Sequence, residues 1–166
     1  IGEENFREVM ISLIEQQKEV DFYNLPLTGH FISYRDSMIN WCPIGRNAND
    51  EERKVFVEYD TKQSLLYRER MKDELNKKFI SKGVGDLVTI KLGGSTSFDI
   101  YPNGWDKTYS LQHFPNDQIW FVGDKCTGSG NDKELYDHLV KDKRSFETKS
   151  TEQTRLIIEN DIIPKL

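Results

Sequence analysis

Between Ile119 and Asp132 the chain reads IWFVGDKCTGSGND, an unbroken apolar run followed at once by an acid, glycines and an Asn-Asp pair. A continuous run of this kind predicts a strand buried on both faces, the environment of a parallel sheet. Ligands gather at the carboxyl ends of such strands. Asp124, the first acid after Val122, therefore stands where a hard divalent cation would find an oxygen ligand. Gly128 and Gly130 permit the loop to fold back, so that Asn131 and Asp132 return toward the same point. A surface turn rich in Gly and Asp has the same composition. The order strand, acid, glycines, Asn-Asp favours the ligand loop.

The chain before this run has a different character. Residues Glu3 to Val20 carry Phe6, Val9, Met10, Leu13 and Ile14 at helical spacing, and the stretch Asn24 to Gly29 breaks the helix. His30 to Pro43 alternates as strand, with Arg35-Asp36-Ser37 as a turn that folds it into a hairpin. Asn49 or Asp50 caps a helix starting near Glu51. Thr61 to Ile80 reads as a second long helix that buries Leu65, Met71, Leu75 and Phe79, and Lys82-Gly83 ends it. Strands follow at Leu87 to Leu92 and Thr96 to Tyr101. After Gly104 come a short helix from Lys107 to Phe114, the apolar strand, a helix around Lys133 to Leu139 and a last helix from Glu152 to near Asn160. The expected fold class is α/β in two domains. Residues 1–103 form an α+β domain of antiparallel sheet and two helices, and 104–166 form part of an α/β domain.

With 166 residues the chain has room for two small lobes. Its formal charge of -5 and pI near 5.3 speak against a nucleic-acid partner, which normally meets a basic stripe. Anionic substrates stay open, because a few arginines can make a positive pocket on an acidic protein. Cys42 and Cys126 fit neither a disulfide framework nor a zinc pattern, so a reducing, cytoplasmic home is expected. No apolar run approaches the ~18 residues of a membrane span. His30, His113 and His138 show no ligand spacing and read as structural or exposed. The chain opens without Met almost directly in a helical pattern, and further sequence upstream is expected.

Three other groups carry chemistry. Lys107 begins a short helix after Trp105-Asp106; it reads either as a solvated lysine or as a positive charge set beside a reacting phosphoryl group. Ser97 and Asp99 share one face of a strand while Phe98 and Ile100 share the other. They suit the hydroxyls of a sugar, or simply a polar sheet surface. Arg35, Arg46 and Arg53 surround one loop, and Arg53 lies in the first turn of a helix, where negative charge is favoured. Ion pairs with Glu51 or Glu52 would explain one arginine; an anion held by guanidiniums would explain all three.

In this order the motifs resemble the eukaryotic-type phosphomannomutases of the haloacid dehalogenase superfamily. The residues that carry the resemblance are Pro43-Ile-Gly-Arg46, Glu51-Glu-Arg53, Gly94 with Ser97-Phe-Asp99, Pro102-Asn-Gly-Trp-Asp-Lys107, and Gly123-Asp-Lys125 through Gly130-Asn-Asp132. They extend over nearly the whole chain. The resemblance implies a haloacid dehalogenase-like α/β core with an inserted α+β cap, here the cap and the C-terminal part of the core. It implies interconversion of mannose 6-phosphate and mannose 1-phosphate through an aspartyl-phosphate, with Mg²⁺ as cofactor and a hexose bisphosphate as activator. A homodimer through the cap and a place in GDP-mannose biosynthesis are likewise implied. By motif, Arg35, Arg46 and Arg53 would bind the distal phosphate and sugar, Ser97 and Asp99 the sugar hydroxyls. Lys107 would neutralise phosphoryl charge, and Asp124 would hold Mg²⁺ with Asp132 in the supporting loop. The main-chain oxygen of Tyr136 would hold a second cation.

The chain departs from the family at several points. Ser33-Tyr-Arg-Asp-Ser-Met38 stands where EFRNGM is frequent, and Pro115-Asn-Asp-Gln118 is shorter than expected. Asp137, His138 and Asp142 share the region where a second cation's carboxylate would fall. Above all, the family's D-x-D-G-T, whose first Asp takes the phosphoryl group, has no counterpart, since no D-x-D occurs in these residues. The family's N-terminal nucleophile segment is thus expected to lie outside this chain, and the chain alone is expected to be inactive. A cap-bearing sugar-phosphate phosphatase of the same superfamily and an inactive sugar-phosphate-binding fragment are the competing readings.

Overall fold

The computed structural model describes residues 1–62, 66–114, 118–128 and 130–166. The chain divides into two compact units, Ile1–Asn103 and Gly104–Leu166.

The first unit is built on four antiparallel strands, β1 (Ile32–Arg35), β2 (Met38–Trp41), β3 (Val88–Gly93) and β4 (Ser97–Pro102), in the order β1-β2-β4-β3. Its helices are α1 (Glu3–Gln17), α2 (Asp50–Lys62) and α3 (Tyr67–Ser81). Register sorts the side chains by face. Ile39 pairs with Ile100 and Trp41 with Phe98, and these four are buried against Val9, Leu13, Phe56, Met71, Leu75 and Phe79. Asn40 pairs with Asp99 between them, so by strand alternation both point to the opposite face. The hairpin of β1 and β2 turns at Asp36-Ser37, with Asp36 at φ 55, as the alternation around Arg35-Asp36-Ser37 predicts.

The mixed α/β class, with an antiparallel sheet and helices, is the one expected from the sequence. Local differences have physical causes. In α1 the buried side chains are Val9, Ser12, Leu13 and Gln16, while Ile14 is exposed. At 100° per residue, Ile14 falls off the stripe centred on Val9 and Leu13. Ser12 is accommodated by a hydrogen bond to the Glu8 carbonyl (2.8 Å) and Gln16 by one to Glu74 (3.2 Å). The helical stretch expected over 61–80 is divided: α2 runs to Lys62 and α3 starts at Tyr67. The Asp60 carboxylate accepts from the Arg68 backbone N–H and from its guanidinium (both 2.8 Å), and so supplies the start of α3 with an acceptor from α2. Leu65 lies outside the described residues. Met71, Leu75 and Phe79 are buried as their spacing predicts, and Gly83 at φ +75 follows the end of α3.

The second unit contains β5 (Phe121–Gly123), α4 (Lys133–Val140), β6 (Ser145–Glu147) and α5 (Thr151–Ile157), preceded by a 3-10 turn at Lys107–His113. β5 and β6 are parallel neighbours, so β5-α4-β6 is a parallel strand-helix-strand unit. The apolar run from Ile119 to Val122 is half-buried rather than fully enclosed. Trp120 stacks on Phe146 with ring centroids 6.3 Å apart, and Lys165 lies over both rings. The last helix ends at Ile157 and passes into a π turn, Ile158–Ile162, and a 3-10 turn at Ile163–Lys165 that contains Pro164. Among the described residues no helix is long and apolar enough to cross a membrane.

Candidate functional site

The polar face of the first unit's sheet carries a cavity of about 330 Å³. Arg35, Arg46, Arg53, Ser97 and Asp99, the five residues that sequence motifs nominate for substrate, all line it. Strand alternation accounts for Arg35, Ser97 and Asp99, which project from the face opposite the core. Arg46 arrives by a tight bend after β2. Gly45, at φ +91, makes that bend with the Gly45 N–H donating to the Cys42 carbonyl (2.9 Å); a Cβ there would come within 2.2 Å of the Gly29 carbonyl oxygen.

Arg53 is held by three neutral acceptors. Its Nε donates to the Ala48 carbonyl (2.9 Å), and its two terminal nitrogens donate to Thr96 Oγ1 and the Arg46 carbonyl (3.2 Å each). The neighbouring acids are engaged elsewhere. Glu52 and Asn49 exchange bonds in a capping box (2.8 and 3.0 Å), and Glu51 pairs with Lys54 (3.0 Å). Among the described residues, Arg35, Arg46 and Arg53 have no ion pair. Three guanidiniums share the cavity lining with one carboxylate, Asp99. The pocket gathers three guanidiniums on an acidic chain, an arrangement that can hold an anion.

Sequence motifs do not single out Asn40 or Thr96. Asn40 is 3% exposed and touches three of the five nominated residues. Its Nδ2 donates to Asp99 Oδ1 (2.7 Å) and Ser97 Oγ (3.1 Å), and its Oδ1 accepts from Arg46 (2.7 Å). The one local signal is a polar residue set between Ile39 and Trp41 in a strand. Thr96, equally buried, bonds Arg53 and receives the Cys42 thiol (3.7 Å).

In the second unit, Lys107 pairs with Asp132, whose other oxygen accepts from the Asp124 and Lys125 backbone N–H groups (3.0 Å each). The loop 124–132 is thereby tied to the start of the 3-10 turn through one buried carboxylate. Gly130 allows the closure: a Cβ there would lie 2.1 Å from the Lys125 carbonyl oxygen. Burial pushes the Asp132 carboxyl up, but Lys107 and the two N–H groups outweigh it and hold the group below 3.8. The Cys126 thiol in the same loop is pushed up to about 11, first by burial and then by the charges of Asp132, Glu147 and Asp124.

Asp124 is exposed at the carboxyl end of β5. Tyr136 lies in α4, and its main-chain oxygen accepts from Ser145 Oγ (2.8 Å). Asp137 pairs with Lys133, and Asp142 with Arg144 (2.5 Å). Among the described residues no three His, Cys, Asp or Glu side chains cluster to hold a metal ion. Asp124 is the loop carboxylate left open to a cation, while both oxygens of Asp132 are engaged.

The family described as eukaryotic phosphomannomutase (PMM) matches residues 1–163. The chain is similar to a phosphomannomutase of Saccharomyces cerevisiae, with 40% identity over 140 residues, 82% of this chain and 52% of the relative. To phosphomannomutase 2 of Dictyostelium discoideum it is 37% identical over 169 residues, 99% of this chain and 64% of the relative. It therefore spans from about half to just under two-thirds of the length of these curated relatives. Among solved structures, the N-terminally truncated, IMP-bound IMP-nucleotidase of Plasmodium falciparum superposes with a TM-score of 0.57 at 15% identity, over 98% of this chain and 39% of that one. That likeness concerns the fold alone.

Proposed function

This chain belongs to the eukaryotic phosphomannomutase family, and from that premise we propose that it acts in an enzyme interconverting mannose 6-phosphate and mannose 1-phosphate. The observation that carries the reading is the convergence of Arg35, Arg46, Arg53, Ser97 and Asp99 on one cavity. Guanidiniums without a carboxylate partner retain donors for phosphate oxygens. The Ser97 hydroxyl gives its hydrogen to the Gly93 carbonyl (2.9 Å) and keeps a lone pair, so that it and the Asp99 carboxylate are acceptors suited to sugar hydroxyls. A mutase must grip the phosphate that is not reacting while the other one moves, and a pocket with several arginines and hydroxyl-reading groups meets that need.

The loop of the second unit has the complementary task. The Lys107 ammonium is held by Asp132 yet is 44% exposed, so it can set positive charge beside a transferring phosphoryl group. Asp124 is the residue that would hold Mg²⁺, a cation that takes one or two carboxylates and fills its remaining positions with water and substrate oxygens. When bound, Mg²⁺ would neutralise charge on the phosphoryl group. Asp132 would serve this arrangement by fixing the loop backbone at Asp124 and by positioning Lys107. Tyr136 would offer only its main-chain oxygen to a second cation. The family resemblance assigns the phosphoryl acceptor to an aspartate of a D-x-D pair, and no D-x-D occurs in these residues. Gripping, orienting and charge neutralisation are the parts this chain's side chains can perform.

The same reading carries a hexose bisphosphate activator, a cytoplasmic setting, a homodimer through the residue 1–103 domain acting as cap, and supply of mannose 1-phosphate for GDP-mannose formation. The experiment is an assay of the full protein with mannose 1-phosphate, Mg²⁺ and a trace of hexose 1,6-bisphosphate. Mannose 6-phosphate should appear without matching release of orthophosphate. Orthophosphate without isomer would replace the mutase by a sugar-phosphate phosphatase.

A further inference from the structure

We infer that Asn40 is a positioning residue that holds the Arg46 guanidinium apart from the Asp99 carboxylate, keeping Arg46 available to the substrate's phosphate. The inference rests on the mutase reading of the cavity and adds to it a residue that no motif marks. Asn40 lines the cavity and is 3% exposed. Its orientation is set by its neighbours, because Arg46 can only donate and Asp99, when ionised, can only accept. The amide oxygen therefore faces Arg46 (2.7 Å) and the amide nitrogen faces Asp99 (2.7 Å). The remaining N–H is directed to Ser97 Oγ (3.1 Å) and the Phe98 carbonyl (3.3 Å).

An amide suits this position for electrostatic reasons. A guanidinium and a carboxylate on one cavity wall tend to pair directly, which would neutralise the charge meant for phosphate and occupy the oxygen meant for a hydroxyl. A buried amide satisfies both ions through dipoles and leaves both charges in place. Because Asn40 pairs with Asp99 across β2 and β4, the backbone register fixes the amide between them. The bridge also links Arg46 to Ser97 and Asp99, so the phosphate-gripping and hydroxyl-reading groups are set at one spacing.

The isosteric change Asn40→Asp tests this, since it keeps the shape and places a carboxylate against Arg46 and a like charge against Asp99. Binding of mannose 6-phosphate to the chain by calorimetry is measured for N40D, Arg46→Ala, the double variant and the parent, with unfolding of each unliganded protein as control. N40D should bind about tenfold or more weakly, the order expected when a hydrogen-bonded charge is redirected. In the R46A background the same change should cost about threefold or less, because the guanidinium it acts through is gone. Asn40→Ser, whose single, shorter-reaching hydroxyl cannot span both ions as the amide does, should show the same dependence on Arg46 with a smaller loss, and it replaces N40D should that variant fail to fold. Equal losses in both backgrounds would overturn the positioning role while leaving the phosphate reading intact. Unchanged binding in R46A would overturn both.

Discussion

Trp41 and Phe98 face each other across β2 and β4, with ring centroids 4.7 Å apart and planes 23° from parallel. Both are fully buried, and Trp41 Nε1 donates to Gln17 of α1 (2.7 Å). The pair locks the register, since a slip of one residue would exchange the core face for the polar face. Asn40 and Asp99 are paired on the cavity side because these rings are paired on the other. Phe98→Ala should therefore lower unfolding stability by about 3–5 kcal/mol, the range for a buried aromatic truncated to Ala. A denaturant melt checks it, and a loss below about 1 kcal/mol would mean that the core does not rest on this pair.

Arginines of the cavity should separate stability from binding. Arg53 uses three nitrogens on three acceptors, a fork that lysine cannot reproduce. Arg53→Lys should weaken mannose 6-phosphate binding about tenfold and also cost on the order of 1 kcal/mol in unfolding. Arg35 is exposed at the end of β1, and no hydrogen bond or ion pair holds its side chain among the described residues. Arg35→Lys should weaken binding while the unliganded melting curve stays within about 0.5 kcal/mol of the parent. A stability loss in R35K equal to that in R53K would contradict the contrast.

The legible parts of this molecule were those encoded locally. Alternation at Ser97–Asp99, the order of the three arginines, the hairpin at Arg35-Asp36-Ser37 and the acid at the end of an apolar strand all lie within a few residues of their cause. Asn40 was not legible, because its meaning depends on a partner 59 positions away. The start of α3 takes its acceptor from Asp60, eight positions before Arg68, a contact and not a periodicity. Strand β6 has only three residues, too few to display alternation. The Asp132 bond to Lys107 spans 25 positions, so sequence motifs nominate each residue separately without showing that one holds the other.

Cys126 should be a poor nucleophile in the folded protein. Burial comes first among the causes that push its thiol to about 11, followed by the neighbouring carboxylates. At pH 8 only about one thiol in a thousand would be ionised. Iodoacetamide should label Cys126 far more slowly than it does in the denatured chain, as peptide mapping would show. The raised value also has a sign for stability: the protonated thiol contributes fully below 9.0, and the contribution is lost as pH rises toward about 11. Labelling at the denatured rate would place the thiol in solvent.

Asp132 should make the loop acid-sensitive in the opposite direction. Burial alone would raise its carboxyl, but Lys107 and the backbone N–H groups of Asp124 and Lys125 hold it below 3.8. A depressed carboxylate contributes stability that is present above the ordinary value and lost as pH falls through the folded one. Amide hydrogen exchange at Asp124 and Lys125 reads this locally, because those N–H groups bond the carboxylate itself. At pH 7 both amides should be better protected in the parent than in Asp132→Asn, which removes the charge that Lys107 and both amides share. As pH falls through the depressed folded value, which lies below 3.8, the two proteins should converge, since the parent's carboxyl loses its charge there. Equal protection at pH 7 would show that the loop holds its shape without Asp132, and the positioning of Lys107 would need another cause.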